Sequence, residues 1–384
     1  EPPCEPDLFS RACVEAYHNN TAETPVYPFT QIFEPGVLAE VVLLEGVPLD
    51  PLLTLEFRPT AEMESLGNKL DNLQSLDMAE RLNLSSALIC ISRFDAAKRA
   101  LPREGSTDRE RFELAWLDFL ISNRQDDGAR SPDAFARIIA ATAQGEVSPA
   151  RIVDACTQGI VWFLKRREID EQQYRWCVET GNALIKHGAG LGHGTLSSWY
   201  RGVAMVRAVE RDAEGTREYL TQALDHGTRL ADSCEQYGAL NTLKTYYESC
   251  IKEYMYVRPD LERAEEAGLA LVALDEQWSP SFAELAEAYE YFGQVEQAVV
   301  YYEKAVDIGP PYVGQHLVRA ARANVKCGSP EAALGHYRTL HDIAPLLDPH
   351  LCREALRVAT ESGHDSKDYF QSAFEASQAR GVTR

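Results

Sequence analysis

Residues 279–310 read SPSFAELAEAYEYFGQVEQAVVYYEKAVDIGP, and a related pattern returns in residues 314–345, which read GQHLVRAARANVKCGSPEAALGHYRTLHDIAP. In both stretches apolar residues recur three and four positions apart, which is the period of one face of an α-helix. A glycine divides each stretch near its middle, Gly293 in the first and Gly328 in the second. Each stretch therefore predicts two helices joined by a tight turn, and the recurrence predicts a repeat architecture.

Residue size at matching positions favours close packing of the two helices. Ala286 in the first helix and Ala298 in the second are small enough to let the helices approach closely. The large side chains of Tyr289, Tyr302 and Tyr337 are expected to fill the space toward the neighbouring pair, as ridges of one helix fill the grooves of the next. The glycine at the turn is expected to adopt the positive φ angle that a chain reversal after a helix requires.

These positions resemble the signature of the tetratricopeptide repeat (TPR) family. The signature is met almost completely in residues 279–312 and mostly in residues 314–347, and more loosely in residues 196–278, where Trp199 and Gly202 match it. The resemblance implies a mostly α fold, an α-solenoid of antiparallel helix pairs. It also implies a protein–protein interaction scaffold whose first helices line a concave, peptide-binding groove.

The sequence divides into three regions. Residues 1–60 hold nine of the 19 prolines and form a Pro-rich, partly extended arm, with a β-hairpin predicted at residues 37–57. Residues 61–190 have helical periodicity in successive pairs, beginning with a helix predicted over residues 61–81, but lack the repeat signature. Residues 191–384 are predicted to be TPR-like helical repeats, closed by a capping helix at residues 366–380, because a terminal repeat would otherwise expose an apolar face.

The composition excludes several classes of function. The formal charge of −21 argues against nucleic-acid binding, which depends on clustered Lys and Arg, and an acidic surface favours basic partners. Every apolar run is interrupted by charges or prolines well before the length that a transmembrane helix needs, so no membrane partner is expected. The nine cysteines include no CxxC pair, which favours reduced thiols and a cytoplasmic protein.

Transferring the family's groove positions to this chain gives the candidate binding residues. They are Tyr200, Arg207, Glu287, Glu290, Tyr291, Arg322 and Lys326. The same transfer adds Ala283, Gln315 and Val318 and, in the poorly matching repeat at 245–278, Tyr246, Glu253 and Tyr256. Such a groove of mixed charge with several tyrosines suits an extended peptide or a partner helix.

The segment Lys186–Gly194, KHGAGLGHG, is the most unusual local feature. Its glycines fit neither of the phosphate-binding patterns GxGxxG and GxxxxGK[ST], and no strand is predicted before it. His187 and His193 lack a third nearby metal ligand. A flexible loop between repeats, with no metal or cofactor, is therefore the preferred interpretation.

Two alternatives to a simple binding scaffold stay open. The first is a peptide-modifying or transferase-type enzyme, or its substrate-binding part, with a pocket between the N-terminal region and the solenoid. The second is a scaffold in which the N-terminal arm mediates homo-oligomerisation. The sequence contains no nucleophile motif such as GxSxG, so it names no catalytic residue for the first alternative.

Overall fold

Helices make up all the regular structure that the computed structural model describes, with no strand in residues 68–90, 94–124, 130–165, 171–188, 190–232, 236–276, 278–308, 313–343 and 349–381. The described helices belong to two compact units, which meet in the sequence between Pro259 and Asp260. The predicted mostly α fold of successive helix pairs is confirmed. The N-terminal arm, its predicted hairpin and the enzyme pocket that would involve it lie outside the described residues.

The first unit is a series of neighbouring helices, in which α1 packs on α2, α3 on α4, α5 on α6 and on α7, and α8 on α7 and on α9. The helices are α1 (Met78–Cys90), α2 (Phe94–Ala100), α3 (Asp108–Arg124), α4 (Arg130–Ala141), α5 (Pro149–Lys165), α6 (Glu171–His187), α7 (His193–Val209), α8 (Ala213–Asp232) and α9 (Gln236–Tyr256).

The second unit stacks helix pairs on one another. Each helix packs on the next one along the chain, from α10 through to α16. The helices are α10 (Leu261–Leu274), α11 (Ser279–Tyr291), α12 (Val295–Ile308), α13 (Val313–Lys326), α14 (Pro330–Ile343), α15 (Pro349–Glu361) and α16 (Lys367–Gly381). The predicted helices of residues 279–345 and the predicted capping helix are therefore present. None of the described helices is long and apolar enough to cross a membrane.

The same type of glycine turn recurs three times in the second unit. Gly293, Gly328 and Gly363 end the first helices of three successive pairs, and their φ angles are 77°, 72° and 66°. After each glycine the next amide donates back to a carbonyl of the preceding helix, as in a Schellman motif. These bonds are Gln294 N to Tyr289 O at 2.8 Å, Ser329 N to Asn324 O at 2.9 Å and His364 N to Ala359 O at 2.9 Å. The positive φ angles predicted for the first two turns are confirmed.

The core of the second unit follows the predicted division into small and large residues. Ala286 and Ala298 are completely buried where α11 and α12 pack together. Tyr302 and Tyr337, from the second helices α12 and α14, are also buried. The size pattern read from the sequence is therefore the packing pattern of the helix pairs.

In the part of the first unit that lacks the repeat signature, aromatic rings hold neighbouring helices together. Phe135 packs edge-on against Phe119 at 5.2 Å and against Phe163 at 5.5 Å, so one ring joins α3, α4 and α5. Gly181 in α6 leaves room for the indole of Trp199 in α7, since a Cβ atom at Gly181 would lie 2.1 Å from that ring. The close approach of α6 and α7 therefore depends on one glycine beneath a large ring and not on alanines at repeated positions.

One predicted boundary is wrong. The periodicity predicted a continuous helix over residues 61–81, but the chain contains a 3-10 helix at Leu73–Ser75 and starts α1 at Met78. Asp77 and Glu80 explain the new start because they form a capping box: the Glu80 amide donates to Asp77 Oδ1 at 2.8 Å, and the Asp77 amide donates to Glu80 Oε2 at 3.0 Å.

Candidate partner-binding face

The first helices of three successive pairs, α11, α13 and α15, line one open pocket of ≈ 550 Å³ in the second unit. Along each helix the polar lining residues are three or four positions apart, so they project from a single helix face. The lining residues are Glu287, Glu290, Tyr302, Arg319, Arg322, Val325, Lys326, Glu354 and Arg357. We call this surface the α11–α13–α15 face.

Four of the seven predicted binding residues meet in this pocket: Glu287, Glu290, Arg322 and Lys326. The structure brings them together as the transfer from the repeat family implied, while their contact with a ligand stays a prediction. Tyr291 is 47% exposed at the end of α11, does not line the pocket and packs edge-on against the neighbouring ring of Phe292.

Tyr200 and Arg207, the remaining two predicted residues, lie on α7 in the first unit. The Tyr200 ring stacks on Tyr219 with a centroid distance of 6.2 Å and on His226 at 5.6 Å, both from α8. The Arg207 guanidinium lies 6.0 Å from the centroid of Tyr219. These two predicted residues thus form part of an aromatic contact between α7 and α8.

Four other transferred positions are wrong, because they face the interior of their units. Ala283, Val318 and Tyr246 are buried, and so is Glu253. The Glu253 carboxylate forms an ion pair with Arg217 of α8, with Nε 3.1 Å from Oε1. The helix around Glu253 matches the repeat signature poorly, so the transfer placed the wrong face of α9 toward solvent.

Two ion pairs connect α11 with α13 at the pocket. Arg319 donates to Glu287 at 2.8 Å, and Lys326 donates to Glu290 at 2.5 Å. Tyr302, buried beneath them on α12, donates its hydroxyl to Glu290 at 2.9 Å. Burial and the neighbouring Glu290 carboxylate raise the pKa of Tyr302, so this hydroxyl remains a donor.

A third ion pair connects α13 with α15. Arg322 binds Glu354 in a bidentate manner, with Nε donating to Oε1 at 3.0 Å and Nη2 to Oε2 at 2.9 Å. Burial alone would raise the pKa of Glu354, but the hydrogen bond and charge of Arg322, together with Tyr337 and Arg357, outweigh burial and lower it. The same hydrogen bond raises the pKa of Arg322, so the pair is fully ionised at neutral pH.

The pocket presents its positive charges to solvent more than its negative ones. The side chains of the three glutamates are 24–27% exposed, whereas those of Arg319, Arg322, Lys326 and Arg357 are 41–57% exposed. The carboxylates therefore lie below the cations. Although the chain has a formal charge of −21, a partner that approaches this pocket from solvent meets positively charged side chains first.

Sequence reasoning missed Arg319, Glu354, Arg357 and Tyr302 as lining residues. The charged residues were detectable, because Arg319 and Arg357 each lie three positions from another charged residue on the same helix face. Tyr302 was correctly predicted to pack between helices, but its contact with a pocket carboxylate depends on tertiary geometry.

The Gly-His segment places one of its two histidines against the following helix, α8. Across the residues that the structure describes, no group of three or more His, Cys, Asp or Glu side chains is placed to hold a metal ion. His193 instead meets His226 of α8, with their Nδ1 atoms 2.8 Å apart.

No protein-family model and no curated protein matches the chain. Among solved structures it is similar to the apo form of RapI, at 13% identity over 83% of this chain and 88% of that chain, with a TM-score of 0.47. It is also similar to TTC0263, a thermophilic TPR protein in Thermus thermophilus, at 14% identity over 56% and 100% of the two chains, with a TM-score of 0.33. A third similar structure is the TPR2AB domain of yeast Sti1 in complex with pHSP90, at 13% identity over 71% and 97%, with a TM-score of 0.24. The helix pairs and glycine turns of the chain itself define its TPR-like helical-repeat fold.

Proposed function

We propose that this chain is a helical-repeat scaffold that binds an acidic segment of a protein or peptide on the α11–α13–α15 face. The observation that carries the proposal is the layering of charge in the pocket, with recessed glutamates beneath more exposed Arg and Lys side chains. A partner approaching from solvent meets the cations first. Glu and Asp side chains are the groups that complement them.

The arginines keep hydrogen-bond donors for such a partner. A guanidinium has five N–H groups. Arg322 donates to Glu354 through Nε and Nη2, which are two of its three nitrogens. Arg357 donates to Glu361 through Nη1 at 2.8 Å. An incoming carboxylate therefore binds the remaining N–H groups without first displacing the resident glutamates.

Weak internal pairing also favours exchange with a partner. Ion pairs between half-exposed side chains contribute only about 0–1 kcal/mol each, because water screens them. Lys326 is 57% exposed, so its contact with Glu290 is of this kind. A partner carboxylate that binds Lys326 therefore replaces an ion pair that contributes little net free energy. The rest of this acidic chain repels an acidic partner, so binding is restricted to this face.

Fluorescence anisotropy with short labelled peptides tests the proposal. We expect a peptide of alternating Glu and Ala to bind, with an affinity that falls as salt rises, and the matching Lys–Ala and Gln–Ala peptides to bind far more weakly. The double variant R322A/R357A should lose about tenfold or more in affinity, since it removes charge-assisted hydrogen bonds.

Two single variants serve as controls. R263A removes an exposed arginine of α10 that does not line the pocket, and it should leave the affinity unchanged. Y291A tests whether the exposed ring beside the pocket acts as an anchor, and we expect a smaller loss than for R322A alone. Equal binding of the acidic and basic peptides, or an R322A/R357A variant with unchanged affinity, would reject the acidic-partner assignment.

We also propose that the protein acts in the cytoplasm. The described cysteines Cys156, Cys177, Cys250, Cys327 and Cys352 are free thiols, which is consistent with a reducing compartment. Fractionation of the native host followed by immunodetection would locate the protein, and a secreted or membrane-bound pool alone would reject this assignment.

A further inference from the structure

Two histidines hold the start of α7 against α8 in the first unit. His193 is the first residue of α7, His226 lies in α8, and their Nδ1 atoms are 2.8 Å apart. The ring centroids are 5.1 Å apart, the separation that two imidazoles have when their nitrogens point directly at each other. One Nδ1 must therefore carry a hydrogen and the other must accept it.

This geometry fits a shared proton better than a shared metal ion. Zinc–nitrogen bonds measure about 2.0–2.1 Å, so an ion on the line between the two nitrogens would hold them about 4 Å apart. The observed separation is far shorter. No third potential metal ligand joins the pair among the residues that the structure describes. Protonation is thus the chemistry to which this contact responds.

A second proton cannot be accommodated in this contact. With both imidazoles charged, two N–H groups would point at each other and no acceptor would remain. The charge on His193 would also face the positive end of the α7 dipole. Burial and the nearby His193 lower the pKa of His226, as does Arg229, while Asp225 opposes them. The contact therefore persists while one imidazole is neutral and accepts the hydrogen bond, and it is lost when both imidazoles are charged.

The contacts that the structure gives for His226 and the adjoining Gly227 are mainly with uncharged groups. From α7, Tyr200 stacks on its ring at 5.6 Å and 13°. From α9, the groups closest to the adjoining Gly227 are the uncharged side chains of Thr242 and Leu243. Asp225 on the same helix is the acidic group that acts on the imidazole, and it is exposed to solvent.

The opposite side of α7 responds to acid in the other direction. Thr195, in the first turn of α7, lies close to Asp154 of α5. Burial raises the pKa of Asp154 to about 6, against the effects of Arg151 and Thr195, so acid removes a buried charge from the α5–α7 contact. Acidification thus removes a buried charge on the α5 side of α7 while it disfavours the contact of α7 with α8.

We propose that the His193–His226 contact is a pH-sensitive latch, and that acidification opens the seam between α7 and α8 at the first turn of α7. The next link between these helices is the hydrogen bond from Ser197 Oγ to Ala223 O at 2.6 Å, which acts as the pivot. Opening the latch removes His226 from the ring of Tyr200. Latch opening therefore controls access to Tyr200, a residue that the sequence predicted to contact a partner.

Hydrogen exchange of the whole chain at pH 7.5 and 5.5, corrected for intrinsic exchange rates, tests the latch. We expect a several-fold loss of protection at pH 5.5 in residues 194–200, with α11–α14 as the internal reference. In H226Q the side chain keeps a hydrogen-bonding group but cannot be charged, so the pH-dependent loss should disappear. H193Q should behave in the same way and provides a second, independent variant.

Three results would overturn the proposal. The first is equal protection of residues 194–200 in the wild-type protein at both pH values. The second is a loss of the same size in H226Q and H193Q, which would place the titrating group elsewhere. The third is a pH effect that EDTA abolishes and added Zn²⁺ restores, which would make the histidine pair a metal site instead of a proton latch.

Discussion

Tyr302 donates its hydroxyl to Glu290 at 2.9 Å from beneath the α11–α13–α15 face. The tyrosine belongs to the second helix of its pair and is completely buried, while the glutamate belongs to the first helix and receives Lys326 from above. One side chain therefore packs the repeat and also fixes the position of a pocket carboxylate. Packing and recognition are coupled at this residue.

Replacing Tyr302 by Phe should measure this coupling. A hydrogen bond to a charged group contributes about 1.5–3 kcal/mol, and the partial exposure of Glu290 places the expected loss near the lower end of that range. Urea unfolding of Y302F, E290A and the double variant gives the interaction energy directly. If the two single losses simply add in the double variant, the two side chains do not interact in solution.

The buried ion pair between Arg217 and Glu253 should be far more sensitive to mutation than an exposed one. Glu253 is 1% exposed, so E253A would leave the Arg217 guanidinium partly buried beside an apolar gap, at a cost of about 3–5 kcal/mol. D225A removes the partner of Arg229 from an exposed i,i+4 pair and should change stability by less than about 0.5 kcal/mol. Comparable losses in the two variants would contradict the burial of Glu253.

Two helical glycines make a matched test of packing. In G181A the new Cβ would lie 2.1 Å from the Trp199 ring, so overpacking should destabilise the protein by about 1–3 kcal/mol or more. In G335A, within α14, the new Cβ would meet no atom within 4 Å. That variant should gain about 0.5–1 kcal/mol from helix propensity. Thermal unfolding of both proteins separates the two outcomes, and a stabilised G181A would show that Trp199 does not pack there.

The repeat could be predicted from the sequence because its determinants are local. Gly293 and Gly328 end helices because each glycine adopts a positive φ angle, which depends on the local backbone alone. Ala286 and Ala298 are small residues that mark where two helices pack closely. Such signals recur at a fixed spacing, so they are visible without any knowledge of tertiary contacts. Gly363 obeys the same rule, although its helix pair lacks the rest of the signature.

The binding face could be predicted only in part, because its remaining determinants join helices that are distant in sequence. Arg322 was identified from its repeat position, but its partner Glu354 belongs to a helix without the signature. His193 was noticed in its glycine-rich segment, whereas His226 lies in the middle of the next helix. The rotation of α9, which buries Glu253, depends on packing with α8 and has no local signal.

Asp154 should make the stability of the first unit depend on pH, in a direction opposite to that of a carboxylate whose pKa is lowered by its ion pair. Its folded-state pKa of about 6 exceeds the ordinary value of 3.8, so between these values the folded state binds more protons than the unfolded state. Stability from this group is complete below pH 3.8 and is lost as the pH rises through about 6, an effect of about 3 kcal/mol in order of magnitude.

The substitution D154N removes the titration and retains an acceptor for Thr195. Relative to the wild-type protein, D154N should therefore gain stability between pH 4 and pH 7, as measured by urea midpoints at each pH. The exposed control E179Q should show no such gain, and a D154N difference that stays constant with pH would show that Asp154 titrates as an ordinary surface carboxylate.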